Sequence, residues 1–325
     1  MTELVATSEA MREAVRLATR VATTDANVLV TGESGAGKEA LARFIHERSP
    51  RAGAPFVKID CAALPAELLE AELFGYERGA FTGASAARPG RLEAADRGTL
   101  VLDEIAHLTT DAQAKLLRVI ERKEFERLGG RRTVRVDARV VALTNVDLED
   151  AVNRRAFRPD LFYRLNVVHI RVPALRERRG DVGRLARHFL KTFARKHGRR
   201  AERLDASALV MLEEYDFPGN VRELMHVLER AVIVADGEQI GAEHLPESVR
   251  SAAAIRLRRG RRLTLAEVEA QHIAETVAFA RGNKSEAARL LGISRKNLYE
   301  KLARYGTAEV GGQRSEVSKK SDVDL

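Results

Sequence analysis

Residues 28–39 read VLVTGESGAGKE. Three apolar residues and a threonine give a short buried strand, and a helical pattern begins behind Lys38. Between them, Gly32, Gly35 and Gly37 let backbone N–H groups converge on phosphate oxygens, and the helix N-terminus adds positive potential. Glu33, Ser34 and Ala36 complete the loop, and Lys38 offers a point charge to the outer phosphates. Glu39 stands where Ser or Thr commonly holds Mg2+ in such loops. The succession of strand, loop, lysine and helix predicts a phosphate-binding site in an α/β fold.

The pattern continues outward from this stretch. Further β-rich runs lie at 56–60 (FVKID), 99–104 (TLVLDE), 139–145 (RVVALTN) and 167–172 (VVHIRV), with helical spacing at 40–48 and 111–123. Strands alternating with helices predict a mostly parallel sheet over residues 1–172. Before it, Met11, Val15, Ala18 and Val21 recur at helical spacing. After Pro173 the strand signals stop, and 181–197, 205–215 and 220–235 are helical, which predicts an all-helical subdomain over 173–246. Residues 247–262 have the Ser, Ala and Arg content of a linker, residues 263–306 form a small all-α domain, and 307–325 are polar and aperiodic, expected to be disordered.

Composition narrows the class. The chain has 325 residues, a single cysteine and no run of apolar residues long enough to span a bilayer, so a soluble, cytoplasmic protein is expected. A disulfide framework is excluded, and Cys61 reads as a small buried residue. The net charge of +8 is concentrated late: residues 251–306 carry 12 Lys/Arg against 5 Asp/Glu. A basic module on a near-neutral body points to nucleic acid. For the run RLRRGRR at 256–262 alone, a polyanion contact and a solvated linker fit equally well.

The chemistry clusters after strand ends. Asp103 closes TLVLD and is placed to hold Mg2+, directly or through water, with Glu104 beside it as general base for the attacking water. Asn145, after VVALT, could orient that water or simply form a turn. Arg158 and Arg164 flank FRPDLFYRL; they read as surface arginines or as cations offered to a neighbouring subunit's phosphate. At 282–306, GNKSEAARLLGISRKNLYEKLARYG reads as helix–turn–helix. Ser285 caps the first helix, Gly292 and Ile293 turn, and Ser294 caps a second helix of 12 residues, about 18 Å long. Leu298 and Leu302 face inward, leaving Arg295, Lys296, Asn297, Lys301 and Arg304 for a major groove.

GESGAGKE (32–39), ELFGYERGAFTGA (72–84), GTLVLDEI (98–105), FRPDLFYRLNV (157–167), PALRERR (173–179) and FPGNVREL (217–224) occur in this order. Together they resemble the bacterial enhancer-binding proteins, AAA+ activators of sigma-54 RNA polymerase, over nearly the whole chain. GAFTGA is the most specific piece. The resemblance implies that Gly79, Ala80, Phe81, Thr82, Gly83 and Ala84 form a mobile loop tip that contacts sigma-54, with LGGRRT (128–133) packing near it. Phe81 as a core residue is the competing reading, opposed by its glycine-rich setting. The resemblance implies further that Arg158 and Arg164 act in trans, and that Arg222 senses the γ-phosphate in cis. Active sites would then lie between subunits of a ring, usually a hexamer. The last segment resembles a Fis-type domain on upstream double-stranded DNA, with a dimerising helix at 264–281.

The chain departs from the family pattern at several places. Asp60 replaces an Asn thought to hold the catalytic Glu until sigma contact releases it; a carboxylate cannot donate that hydrogen bond, so altered coupling is expected. Leu143 replaces Ala and Phe217 replaces Trp. The pattern begins by Leu4, so no N-terminal receiver is expected. Two other functions compete: a DNA-binding regulator with weak ATPase, supported only by Asp60, and a different AAA+ remodeller, which GAFTGA opposes.

Overall fold

Each expected strand forms, and the five make one parallel sheet: β1 (Val28–Thr31), β2 (Phe56–Asp60), β3 (Thr99–Asp103), β4 (Arg139–Thr144) and β5 (Val168–Arg171), in the order β2-β3-β4-β1-β5. The computed structural model describes residues 4–260 and 265–305, apart from the side chains of 257–260, 265 and 267. β3 and β4 are buried nearly end to end, as apolar runs in a two-sided sheet require. One face packs on α1 (Glu9–Ala22) and α2 (Lys38–Glu47) through Met11, Ala18, Leu41 and Ile45. The other packs on α3 (Ala66–Phe74), α4 (Thr110–Arg122) and α5 (Pro159–Leu165) through Leu73, Leu116 and Leu161. Arg139 in β4 is buried, and its guanidinium donates to the carbonyls of Val21, Ala22 and Ala26 at 2.9, 3.2 and 3.2 Å. Val21 and Ala22 end α1 and Ala26 lies in the loop behind it, so a buried cation sits at a helix C-terminus, where the dipole favours positive charge.

Two short antiparallel pairs, Gly75–Tyr76 with Arg88–Pro89 and Glu124–Glu126 with Thr133–Arg135, have no counterpart in the sequence reading. Strands of two or three residues carry too few alternations to register as a period.

The helical subdomain contains α6 (Val182–His197), α7 (Ala206–Glu214) and α8 (Asn220–Val234), packed around Leu190, Phe193, Leu212, Phe217, Leu224 and Leu228, together with one short parallel strand pair, Arg203–Leu204 with Gln239–Ile240, that the helical reading did not include. Residues 247–262 were expected to be a linker; instead, Glu247–Gly260 is a helix, α9. Its Val249 packs into the core of the subdomain, and Arg256 pairs with Glu214 at 3.1 Å and Asp216 at 2.6 Å. Alanine and arginine are good helix formers, so a composition that suits a linker suits a helix equally.

The chain divides into two compact units, 1–256 and 257–325. Among its described residues the second holds α10 (Leu265–Phe279), α11 (Lys284–Leu290) and α12 (Arg295–Arg304), closed around Ile273, Ala287, Ala288, Leu298 and Leu302. Two details differ from expectation. Asn283, not Ser285, caps α11, accepting from the N–H groups of Ser285 and Glu286. The recognition helix has 10 residues rather than 12. The expected disordered tail lies outside the described residues.

Candidate active site

The glycine loop leaves the end of β1, where its C-terminal edge meets β4 and β5. Open parallel sheets bind ligands at that edge. Gly35 is left-handed at φ 74°, and a Cβ there would lie 2.4 Å from the carbonyl oxygen of Gly219. Only glycine lets the helical subdomain press on the loop, which it does through a 3.0 Å hydrogen bond from Val221 N–H to Gly35 O. Gly37, at φ 108°, opens α2.

Lys38 is buried. Its Nζ donates to Gly32 O at 2.8 Å and lies 3.4 Å from both Glu33 O and Glu104 Oε1. Glu104 sits in the left-handed region just beyond β3, and its Oε2 accepts from Asn145 N–H at 3.1 Å. The structure therefore joins Lys38, Glu104 and the Asn145 backbone, while the Asn145 side chain stays exposed. Asp103 is paired with Lys58, Oδ2 to Nζ 2.9 Å, and the same ammonium lies 2.7 Å from Glu39 Oε2. Burial works against that charge, and the hydrogen bonds that Lys58 donates to Glu39 and Asp103 outweigh burial, so it titrates above the ordinary lysine range. Two carboxylates already gathered around one cation fit a magnesium ion shared with nucleotide phosphates, which needs only one or two protein carboxylates. Among the described residues no group of three or more His, Cys, Asp or Glu could hold a metal by itself.

Asp60 lies opposite Asp103 in the sheet register, and its carboxylate accepts from Ala62 N–H at 3.0 Å. Cys61 is buried, and burial, reinforced by the charges of Asp60, Asp103 and Glu104, pushes its thiol up to about 12. It remains a neutral small residue, as expected.

Arg222 reaches the loop, donating from Nη1 to Ser34 Oγ at 2.9 Å. Arg158 and Arg164 lie elsewhere, held by Asp160 at 2.7 Å and Glu121 at 2.8 Å on their own chain. The sequence reading missed the residues that fasten subdomain to loop. Asn220 is buried; its amide donates to Glu33 Oε2 at 3.0 Å and Ser34 O at 3.1 Å, and its oxygen accepts from Leu175 N–H at 2.8 Å. Arg176 pairs with Glu33, and together with Asn220 it holds that carboxyl down at about 2. Arg178 is buried and donates to Ala36 O. PALRERR and FPGN were visible as motifs, but nothing in their spacing said which residues they would meet.

The 79–84 loop is closed by Gly79 N–H to Ala84 O at 2.9 Å and Ala84 N–H to Phe81 O at 3.0 Å. Phe81 is 42% exposed and touches Tyr76 edge-on at 5.0 Å, so the core reading fails. Thr82 and Gly83 are exposed, Ala80 is half-buried and Ala84 is buried. The 128–133 segment does pack beside it: Glu77 N–H donates to Leu128 O at 2.9 Å, and Gly129 abuts Ala80. Arg127 ties the two through Glu93 and Glu77.

In the second unit Ser294 caps α12, accepting from Asn297 N–H at 3.2 Å. Arg295, Lys296, Asn297 and Arg304 are exposed. Lys301 is drawn back to Glu269 at 2.7 Å on α10.

Comparison with known proteins matches these parts one by one. The Sigma-54 interaction domain family matches residues 4–171, the AAA+ ATPase lid domain 176–260, and the Bacterial regulatory protein, Fis family, 264–305. The chain belongs to the sigma-54-dependent AAA+ activators. It is 45% identical over 311 residues to Regulatory protein AtoC of Escherichia coli, covering 93% of this chain and 68% of AtoC. It is 46% identical over 307 residues to Nitrogen fixation protein AnfA of Azotobacter vinelandii, covering 93% and 57%. NtrX from Brucella abortus, solved in complex with ATP, superposes with a TM-score of 0.72 at 36% identity, over 94% of this chain and 70% of NtrX. The activator is thus an AAA+ ATPase and a DNA-binding transcription regulator that acts with sigma-54. No helix among its described residues is long and apolar enough to cross a membrane.

Proposed function

We propose that this activator binds upstream double-stranded DNA through α12 and hydrolyses ATP in a cytoplasmic ring, usually a hexamer, to remodel the closed promoter complex of sigma-54 RNA polymerase. The 32–39 loop amides and Lys38 bind the phosphates, and Arg222 reads the γ-phosphate from the lid. Glu104, aligned by Asn145 N–H, takes the proton of the attacking water. Asp103, with Glu39 nearby, would hold Mg2+, which supplies charge neutralisation on the phosphates. Arg158 and Arg164 approach a neighbouring subunit's nucleotide. Their exposure and separation from their own Lys38–Glu104 pair support that role. NtrX, solved with ATP and with ADP, supports the nucleotide. Arg295, Lys296, Asn297 and Arg304 face the DNA, while Lys301 chiefly steadies α12.

The observation that carries this reading is the exposed Phe81–Thr82 tip mounted on the ATPase core. Its test is retention of purified sigma-54 by the full chain with ADP–aluminium fluoride, a mimic of the hydrolysis transition state, beside Thr82→Ala. Trapping only with the mimic, and its loss in the variant, is expected. Hydrolysis without trapping would mean that the client is a different protein.

A further inference from the structure

The Lys58 bridge has no place in the catalytic scheme above. Along β2, side chains alternate, so Phe56, Lys58 and Asp60 share one face while Val57 and Ile59 join the opposite core. Lys58 thereby lies on the face that carries α2, and its Nζ reaches Glu39 in the first turn of α2 and Asp103 at the end of β3. Its Nζ sits between them, at 2.7 and 2.9 Å, with the side chain 30% exposed. Glu39 occupies a position where phosphate loops commonly carry a neutral hydroxyl, and Asp60 adds a further carboxylate on the same face. Without Lys58, Arg43, 3.9 Å from Glu39 Oε1, would be the remaining cation paired with these carboxylates among the described residues, leaving Asp103 without its partner, so the corner would repel an incoming polyanionic nucleotide more and attract divalent cations by itself.

We propose that Lys58 is a positioning residue that holds Asp103 and Glu39 together and competes with the divalent cation for Asp103, so that metal enters this site only in company with nucleotide phosphates. A lysine suits the task. It is a compact charge on a flexible stem, able to stay with Glu39 while Asp103 turns to the metal. The inference rests on the assignment of Asp103 as the metal carboxylate.

The experiment is Mn2+ titration of the full chain, read by electron paramagnetic resonance, with and without ATPγS. Without nucleotide, Lys58→Met is expected to bind Mn2+ with a midpoint lower than wild type by about tenfold, the scale of one close charge removed. Lys58→Gln, a second neutral variant, should do the same, and Lys58→Arg should stay near wild type. Adding Asp103→Asn to Lys58→Met should abolish the gain. ATPγS retention in chelator shows that each variant is folded. A merely structural lysine would leave the Mn2+ midpoint unchanged or raise it, and either result overturns the proposal, as does a gain that survives Asp103→Asn. With ATPγS present, Asp103→Asn alone should raise the Mn2+ midpoint. If it does not, the assignment of Asp103 fails; if it does while Lys58→Met changes nothing, only the role of Lys58 fails.

Discussion

At the scale of single residues, Asp60 and His46 each carry a measurable consequence. Asp60 ends β2 opposite Asp103, one residue before Glu104, and can only accept hydrogen bonds while ionised. Asp60→Asn introduces a donor at that spot. We expect it to lower basal ATP hydrolysis by about fivefold, the worth of a hydrogen bond of roughly 1 kcal/mol, and to raise the relative stimulation by sigma-54 correspondingly. Steady-state ATPase assays with and without sigma-54 check this; identical ratios in both proteins would show that residue 60 does not govern coupling. His46 is buried against Phe56 and bonded to Thr99 Oγ1 at 3.0 Å. Burial is the main cause holding its imidazole below the ordinary 6.5. A base depressed in the folded state favours folding above the unfolded pKa, and that contribution is lost as pH falls from about 6.5 through the folded value. Thermal melts at pH 7.5 and 5.5 should therefore show a larger acid-induced loss in wild type than in His46→Gln.

At the scale of elements, the caps decide where helices begin. The sequence reading puts the cap of α11 at Ser285, whereas the structure puts it at Asn283, with Ser285 inside the first turn. In the structure the chain turns at Gly282, left-handed at φ 80°, and this directs the Asn283 side chain onto the first free N–H groups. Asn283→Ala should cost the second unit about 1 kcal/mol, the usual worth of an N-cap, and Ser285→Ala should cost little. Hydrogen exchange of the α11 amides in the full chain would separate them. Equal protection losses in the two variants would reverse the assignment. The short strand pairs belong to the same scale: Gly75–Tyr76 with Arg88–Pro89 flanks residues 79–84, Glu124–Glu126 with Thr133–Arg135 flanks the neighbouring 128–133 segment, and Arg127 bridges Glu93 and Glu77.

At the scale of the whole molecule, the helical subdomain and the sheet are joined at the phosphate loop. Asn220 satisfies Leu175 N–H, Glu33 and Ser34 O from a fully buried position. Arg178 reaches Ala36 O and Met11 Sδ, and Asp181 accepts from Thr7 and Ser8 ahead of α1. In the proposed scheme, nucleotide bound at the loop would therefore be linked to the lid through these hydrogen bonds. Asn220→Ala removes three of them and strands a buried N–H, a penalty of about 1–3 kcal/mol. We expect a lower melting temperature and weaker ATPγS binding together, measured by calorimetry and fluorescence titration. Loss of stability with unchanged ATPγS affinity would mean that the lid bonds do not shape the loop.

What the sequence determined by itself was local and periodic. Strands, helices, the order of the units, and the loop with Lys38, Asp103 and Glu104 follow from apolar spacing and from residue types that phosphate chemistry requires at short separation. The GAFTGA tip was implied by the resemblance, and the glycines around Phe81 spoke only against its burial. Tertiary structure alone decided the rest. The Lys58 bridge joins residues 19 and 45 positions away, the Arg139 closure of α1 spans more than a hundred, and the Asn220–Glu33 bond spans 187. A side chain's partner across such distances depends on which elements pack together and in what register, and no pattern confined to one element encodes that. For the same reason the sequence of α9 suits a linker as well as a helix: its arginines and alanines are neutral about their surroundings until Val249 finds the lid core.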